Sequence, residues 1–452
     1  MFRRRVYNKR ESTGGELTAR GRTGLNGLSQ YNKFLIIWFG EFISSIGSGL
    51  SSFGLGVYVF QMTGRATDVS IVTLCAFLPS VLLNPVSGVL ADRFDRRLMM
   101  ILGDSLSAIG LVVMLVLIQA GNIAIWQICA CVAISSVFVS LLEPAYRATI
   151  TDMLDEKQFA KAGGMVQLAS SAKYLLSPVI AGFLLGVADI RLLLIIDIAT
   201  LGVTVCSILL VRNTLGESGK KKSESRFVEE FMEGIKYLVS NKGVLILMIL
   251  ISAVTFYVGN IQTLFTPLIL SFSNSEVLGV VESIGATGML VSSLIIGVFS
   301  MGKSYLKVIS LGLCAAGVTI ALLGTTINTV ALSIIAFLFF STLPFINTSI
   351  EVLMRKTIPN ETQGRVWGLV SLLSQVGYII AYAFSGMLAD NVFIPLLRED
   401  GALAESLGKI IGVGPARGIG LQLILSGISV VILAVIILKV KSVKKLETAL
   451  QE

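Results

Sequence analysis

The sequence predicts an all-α membrane protein: about twelve transmembrane helices in two six-helix bundles, with both termini cytoplasmic. Three observations carry that prediction. The first is composition. Of 452 residues, 54% are hydrophobic and only 14% are charged, where a soluble domain carries roughly a quarter charged residues. Too few polar side chains exist to cover a soluble globule of this size, and so apolar a chain is not disordered. The second is a series of apolar runs, each near the ~20 residues that cross a bilayer as a helix. The third is a repeat, because the two halves of the chain resemble each other.

The first half holds apolar runs at 34–61, 69–91, 98–119, 124–149, 162–187 and 190–211. The second holds runs at 243–270, 276–299, 306–324, 328–355, 364–390 and 417–440. These set an N-terminal bundle over 34–211 and a C-terminal bundle over 243–440. The tail 1–33 is basic and polar and lacks the short apolar core of a cleavable signal peptide. An even number of spans puts both tails on one side. Thirty of the 36 Lys and Arg fall on that side, five fall opposite, and Lys173 lies within a span. Positive loops stay in the cytoplasm during insertion, so the tails 1–33 and 441–452 are expected there. The same bias accounts for the net charge of +8, and no nucleic-acid partner is expected.

Residues 212–242 interrupt the apolar pattern with Gly-Lys-Lys-Lys-Ser-Glu-Ser-Arg. After it, Phe227, Phe231, Ile235 and Leu238 follow helical spacing with acids between them. That predicts an amphipathic helix along the cytoplasmic membrane surface. The linker divides the two repeats. Pro144-Ala-Tyr-Arg-Ala-Thr-Ile-Thr-Asp-Met-Leu leads to Gly164, and Pro344-Phe-Ile-Asn-Thr-Ser-Ile-Glu-Val-Leu-Met leads to Gly364. Parallel repeats of six spans imply a transport architecture with its site at the midplane between the halves.

Between the second and third spans the chain reads Gly88-Val-Leu-Ala-Asp92-Arg93-Phe-Asp95-Arg96-Arg97. Gly88 would let two helices approach closely. Asp92 can accept hydrogen bonds at a helix terminus or pair with an arginine. This run resembles the signature loop of the major facilitator superfamily, Gly-x-x-x-Asp-Arg/Lys-x-Gly-Arg-Arg/Lys. Gly88, Asp92, Arg93, Arg96 and Arg97 match it, and Asp95 stands where the family has glycine. The resemblance implies the major facilitator fold and a conformational latch that holds the outward-open state. Asp92 would then meet the eleventh span near Gly364, with Arg147 a candidate partner. The segments Gly88–Arg97, Pro144–Gly182, Pro359-Asn-Glu-Thr-Gln-Gly-Arg-Val-Trp-Gly and Ile411-Gly-Val-Gly-Pro-Ala-Arg-Gly-Ile-Gly are more closely similar to the drug/proton antiporter branch, especially bacterial macrolide-efflux-like exporters. That similarity implies a proton-driven exporter of amphipathic compounds in the bacterial cytoplasmic membrane, without fixing the substrate.

An ionised residue in mid-span costs at least ~2.5–3.5 kcal/mol, so each one needs a reason. Glu41, Ser45, Ser48 and Ser52 form one polar stripe on the first span. A carboxylate hydrated by such a stripe could trade a proton for a substrate, and without histidine coupling falls to carboxylates. Lys173, with Ser170, Tyr174 and Ser177 on its face, calls for a carboxylate partner, and Glu143 or Glu41 lies at suitable depth. Glu282 in the eighth span is a second coupling candidate. Asp104 and Asp197 read as structural. Tyr257, with Phe42, Phe256, Phe265, Met289, Tyr378 and Tyr382, could line an adaptable pocket or simply pack.

Other chemistry is excluded. The chain has no histidine, and its five cysteines lie in apolar runs, which suits packing rather than metal or disulfide roles. Gly297-Val-Phe-Ser-Met-Gly-Lys303-Ser304 fits a phosphate-loop pattern but ends an apolar span, with no strand before it. No cofactor, no metal and no enzymatic activity are expected. The expected partners are a small-molecule substrate, protons and the lipid bilayer, with the chain acting as a monomer. The alternative to a drug exporter is a dedicated exporter or flippase of one endogenous compound, such as a siderophore, a peptide product or a lysophospholipid.

Overall fold

The computed structural model describes residues 29–121, 123–212, 227–299 and 304–449. The basic tail through residue 28, the Lys-rich part of the linker and residues 300–303 lie outside the described residues. Among the described residues, twelve crossings are long and apolar enough to span a membrane, and there is no strand. The first half comprises α1 (Gln30–Thr63), α2 (Ala66–Arg93), α3 (Arg96–Gln119), α4 (Ile125–Val139) continued by α5 (Leu142–Met153), α6 (Glu156–Leu175) continued by α7 (Ser177–Val187), and α8 (Ile190–Arg212). The linker helix α9 (Phe227–Ser240) precedes α10 (Lys242–Leu270), α11 (Ser275–Val298), α12 (Tyr305–Leu323), α13 (Thr329–Thr357) and α14 (Asn360–Leu388). A π-helical segment, Ala389–Phe393, and the short α15 (Ile394–Leu396) and α16 (Gly408–Ile411) lead to α17 (Pro415–Lys439) and a terminal α18 (Lys441–Ala449).

Two crossings expected as single helices are broken. Pro144 has no N–H for the Ser140 carbonyl, and the fourth crossing turns at residues 140–141. Pro178 has none for the Tyr174 carbonyl, and the fifth breaks at Leu176. Beside that break, the Ser177 hydroxyl donates to the Ile46 carbonyl at 2.9 Å and fastens the fifth crossing to α1. The counterpart of Pro144, Pro344, lies inside α13, which stays continuous.

The two halves build their interiors differently. The C-terminal half has one continuous apolar core, running through Leu247, Leu264, Ile309, Leu332, Phe339 and Leu353. The N-terminal half has two. One, with Phe34, Ile37, Met100, Ala145 and Ile208, lies at the end where α1 begins, here termed the tail end. The other, with Leu50, Val59, Met114, Ile128 and Leu193, lies at the opposite, far end. Between them sits a buried polar layer of Glu41, Ser44, Asp104, Ser107, Ser136, Asp197 and Thr204. Four helices alternate apolar, polar and apolar segments in register, and that register makes the layer.

Both tail-end accessory helices dock on the C-terminal half. Leu238 of α9 is buried, with Ile235 and Tyr237 packed on the same core. The α9 face expected to lie on lipid is therefore partly taken up by protein; the side chains of Phe227 and Phe231 lie outside the described residues. In α18, Leu446 sits against Gly243. The Glu447 carboxylate accepts from the Leu306 N–H at 2.9 Å, capping α12, whose own N-cap Ser304 makes no side-chain cap bond. The far-end segment 391–416 is tied down by Gly414 N–H to Leu397 carbonyl at 2.8 Å, and Arg417 on α17 reaches the Thr325 carbonyl at 2.8 Å.

Candidate functional site

The halves meet chiefly along α2 with α14 and α7 with α11, and among the described residues their tightest contacts lie toward the far end. There the backbones are close enough to demand glycine: a Cβ on Gly386 would overlap the Ala66 carbonyl and the Ser70 hydroxyl, and one on Gly279 would overlap the Pro178 carbonyl. The Gly386 N–H donates to Ser70 Oγ at 3.0 Å. Asp390, one turn on, accepts from Ala66 N–H at 3.1 Å, Thr67 N–H at 2.7 Å and Thr67 Oγ1 at 2.6 Å. Arg65, the N-cap residue of α2, makes no side-chain cap bond. A carboxylate from one half thus caps a helix of the other. At the tail end of the same four crossings, Gly88, Gly163, Gly297 and Gly368 each have nothing within 4 Å of where a Cβ would stand. The result is a gap between the halves, sealed at the far end and open at the tail end. Gly88, expected to mediate a close helix approach, makes none here, because the ends that it would join have parted.

The apex of the gap is aromatic. Phe77 on α2 lies 5.6 Å from Tyr378 and 5.3 Å from Tyr382 on α14. The Tyr382 hydroxyl donates to Gln262 Oε1 at 2.6 Å. Tyr174, at the break in the fifth crossing, is 61% exposed. Tyr257, expected in the cavity wall, bonds Ser429 Oγ on α17 at 2.8 Å within the C-terminal half.

The structure relocates the charged candidates. Glu41 is buried, and the serines buried on its helix are Ser44 and Ser51; Ser45 and Ser48 are both half-buried and Ser52 is exposed. The stripe turns because α1 packs on α8 and the fifth crossing, which selects the i+3 and i+10 positions. Ser48 donates to Asp197 Oδ1 at 3.3 Å. Lys173 is half-buried on α6. Glu143 instead points to solvent and holds Arg147 at 2.8 Å, one turn along the same helix. Glu282 is half-buried on α11.

The loop after α2 is tied within its own half. Asp95 caps α3, accepting from Arg97 N–H at 3.0 Å and Leu98 N–H at 3.4 Å, and pairs with Arg212 at 3.2 Å. A carboxylate can thus replace the family's glycine by becoming an N-cap. Arg96 binds Asp152 at 2.7 Å and the Ala91 and Ala148 carbonyls at 3.2 Å. Arg97 is buried and Arg93 exposed. The Asp92 side chain lies outside the described residues, so the expected latch contact near Gly364 lies there too. Arg147, its candidate partner, is held by Glu143. At the matching corner of the second half, Glu351 pairs with Arg355 at 2.7 Å.

Three groups escaped the sequence reading: Asp390 with Thr67, Phe77, and Tyr146 at the edge of the polar layer. Asp390 could have been noticed as an acid directly after a span, and Phe77 carries no signal beyond its aromaticity.

The Major Facilitator Superfamily profile matches residues 37–382. Macrolide efflux protein A of Streptococcus pyogenes is 26% identical over 379 residues, covering 81% of this chain and 92% of that protein. Macrolide efflux protein A of Enterococcus faecalis is 25% identical over 301 residues, covering 66% and 93%. The crystal structure of the nucleoside transporter NupG superposes with a TM-score of 0.70 at 14% identity, over 91% of this chain and all of that one. The family match, the twelve crossings and the two halves that meet at one end agree. The chain belongs to the major facilitator superfamily and is a multi-pass membrane transporter.

Proposed function

We propose that this transporter is a proton-coupled exporter of amphipathic or hydrophobic small molecules, macrolide-like compounds among them, working by alternating access. The observation that carries the reading is the gap, walled by Phe77, Tyr174, Tyr378 and Tyr382 and open at one end only. Aromatic walls bind flat or greasy compounds through area and stacking without fixing one shape. The open end is where the basic loops cluster, which makes it the cytoplasmic end by charge bias. Substrate would enter there and leave after the halves rock the other way. Glu41 is the coupling carboxylate: it sits buried on α1, one turn from the buried Ser44, where its charge is costly and its proton therefore useful. Similarity to macrolide efflux proteins supports the substrate class.

The test is susceptibility of an efflux-deficient bacterial host expressing the chain, against macrolides, cationic dyes and lipophilic acids. Glu41→Gln is the paired control, with expression checked in both. Resistance to several compounds, lost in the variant, is the expected outcome. Resistance to none, with the protein in the membrane, overturns the drug-export reading in favour of one endogenous substrate. Resistance that survives in Glu41→Gln overturns the coupling role.

A further inference from the structure

Along α10, every residue from Val258 to Ile269 is buried except Gln262, which is exposed. A helix on the lipid face would expose a whole side, at every third or fourth position. This stretch is enclosed all round, and α10 packs on α14, α17, α2 and α1. The opening at Gln262 is therefore into the gap rather than to lipid. Tyr382 fixes its place. The Tyr382 hydroxyl donates to Gln262 Oε1 at 2.6 Å. The Tyr382 ring lies edge-on to Phe77 of the other half at 5.3 Å, and 5.8 Å from Tyr378. Gln262 thus stands at the aromatic apex.

A carboxamide carries its acceptor oxygen and its two N–H donors on opposite sides. With Oε1 taken by Tyr382, the donors of Nε2 face away from that hydroxyl, and among the described residues they have no hydrogen-bond partner. A free glutamine side chain loses rotamer freedom when it binds a ligand. Here the buried Tyr382, 5% exposed, has ordered it beforehand, which lowers that cost. Ring faces alone would accept any flat compound, with a bias toward cations. We propose that Gln262 is a specificity-determining residue of the gap, whose Nε2 hydrogens bind a carbonyl, ester or ether oxygen of a compound stacked on the aromatic rings. The substrate class narrows to compounds that join a flat apolar face to an exposed oxygen acceptor. Tyr382 is a positioning residue that acts through Gln262. The inference rests on the gap being the substrate site and adds the polar contact that selects within it.

The experiment is equilibrium dialysis of the full-length protein in detergent against fluorenone and fluorene, with protein-free micelles subtracted. The two probes share one outline and differ by a carbonyl. The parent should hold fluorenone about two- to tenfold more tightly than fluorene, the span of one neutral hydrogen bond. Gln262→Glu keeps an oxygen for the Tyr382 hydroxyl and removes the N–H donors, so the preference should vanish while fluorene binding stays. Gln262→Leu should do the same and serves if the glutamate variant fails to fold. Tyr382→Phe leaves the amide in place but unfixed and should keep only part of the preference; the full preference there removes the positioning role. A preference unchanged in both Gln262 variants, or equal binding of the two probes by the parent, overturns the inference while the gap reading stands. Loss of both probes in equal measure in those variants marks a structural role and also overturns it. Binding of neither probe by the parent overturns the gap as the substrate site and this inference with it.

Discussion

Asp390 caps the first turn of α2 from the opposite half of the molecule, accepting the Thr67 N–H at 2.7 Å and its hydroxyl at 2.6 Å. The chain brings it there by a π-helical turn at the end of α14, which re-aims the helix just past Gly386. For the far end to open, this cap has to break. An N-cap contributes about 0.5–2 kcal/mol. Asp390→Ala is therefore expected to shift the balance toward the far-end-open form by about two- to thirtyfold. Spin-label distances between the far ends of α2 and α14 measure that balance. An unchanged distance distribution would remove Asp390 from the gate.

Single cysteines should map the open and sealed ends. In a background freed of the five native cysteines, Gly88→Cys and Gly368→Cys should react readily with a water-soluble thiol reagent. Both sites face open space. Gly279→Cys should stay unreactive and lose about 1–3 kcal/mol to overpacking against α7. Equal labelling at the three sites would contradict a gap that is open at one end.

Arg96 and Arg147 look alike in sequence but should differ in stability. The Arg96 side chain is 16% exposed and binds Asp152 with two backbone carbonyls. Arg96→Met is expected to cost about 1.5–3 kcal/mol for a lost charged hydrogen bond. The Arg147 side chain is 70% exposed, and such a pair is worth at most about 1 kcal/mol. Thermal unfolding in detergent should show a clear loss for Arg96→Met and almost none for Arg147→Met.

Phe77→Ala removes the ring that the first half offers to Tyr378 and Tyr382. An aromatic contact contributes about 0.5–1.5 kcal/mol. If the gap binds the transported compound, resistance to aromatic dyes should fall by about two- to tenfold at equal expression. Minimum inhibitory concentrations provide the comparison. A mutant as protective as the parent would place the substrate elsewhere.

Legibility divided along physical lines. Each crossing is long and apolar enough to be found from local composition, and charge bias alone supplied an expected orientation. Glu41 was legible because a carboxylate in a span is costly and therefore rare. Its neighbours were not, because a helix has serines on several faces and only packing chooses between Ser44 and Ser45. Lys173 was expected to seek Glu143 or Glu41 by depth, yet Glu143 pairs with Arg147, and the turns at Pro144 and Pro178 set side-chain directions that depth alone does not give. Asp390 was invisible because its partner lies in the other half, far away in sequence.

The sequence by itself determined that this chain spans the membrane about twelve times in two related halves. It also marked Gly88–Arg97 as the family loop and Glu41 as the acid to watch. These follow from bilayer thickness, charge retention and the cost of a buried charge, all of which act locally. Only the tertiary structure decided that one half has a continuous apolar core and the other a polar layer between two apolar ones. It also decided that Glu41 and Asp104 are both buried in that layer, and that the halves close on Asp390 and part at Gly88. Those facts depend on which helix faces meet, and facing is settled by long-range packing that no single segment encodes.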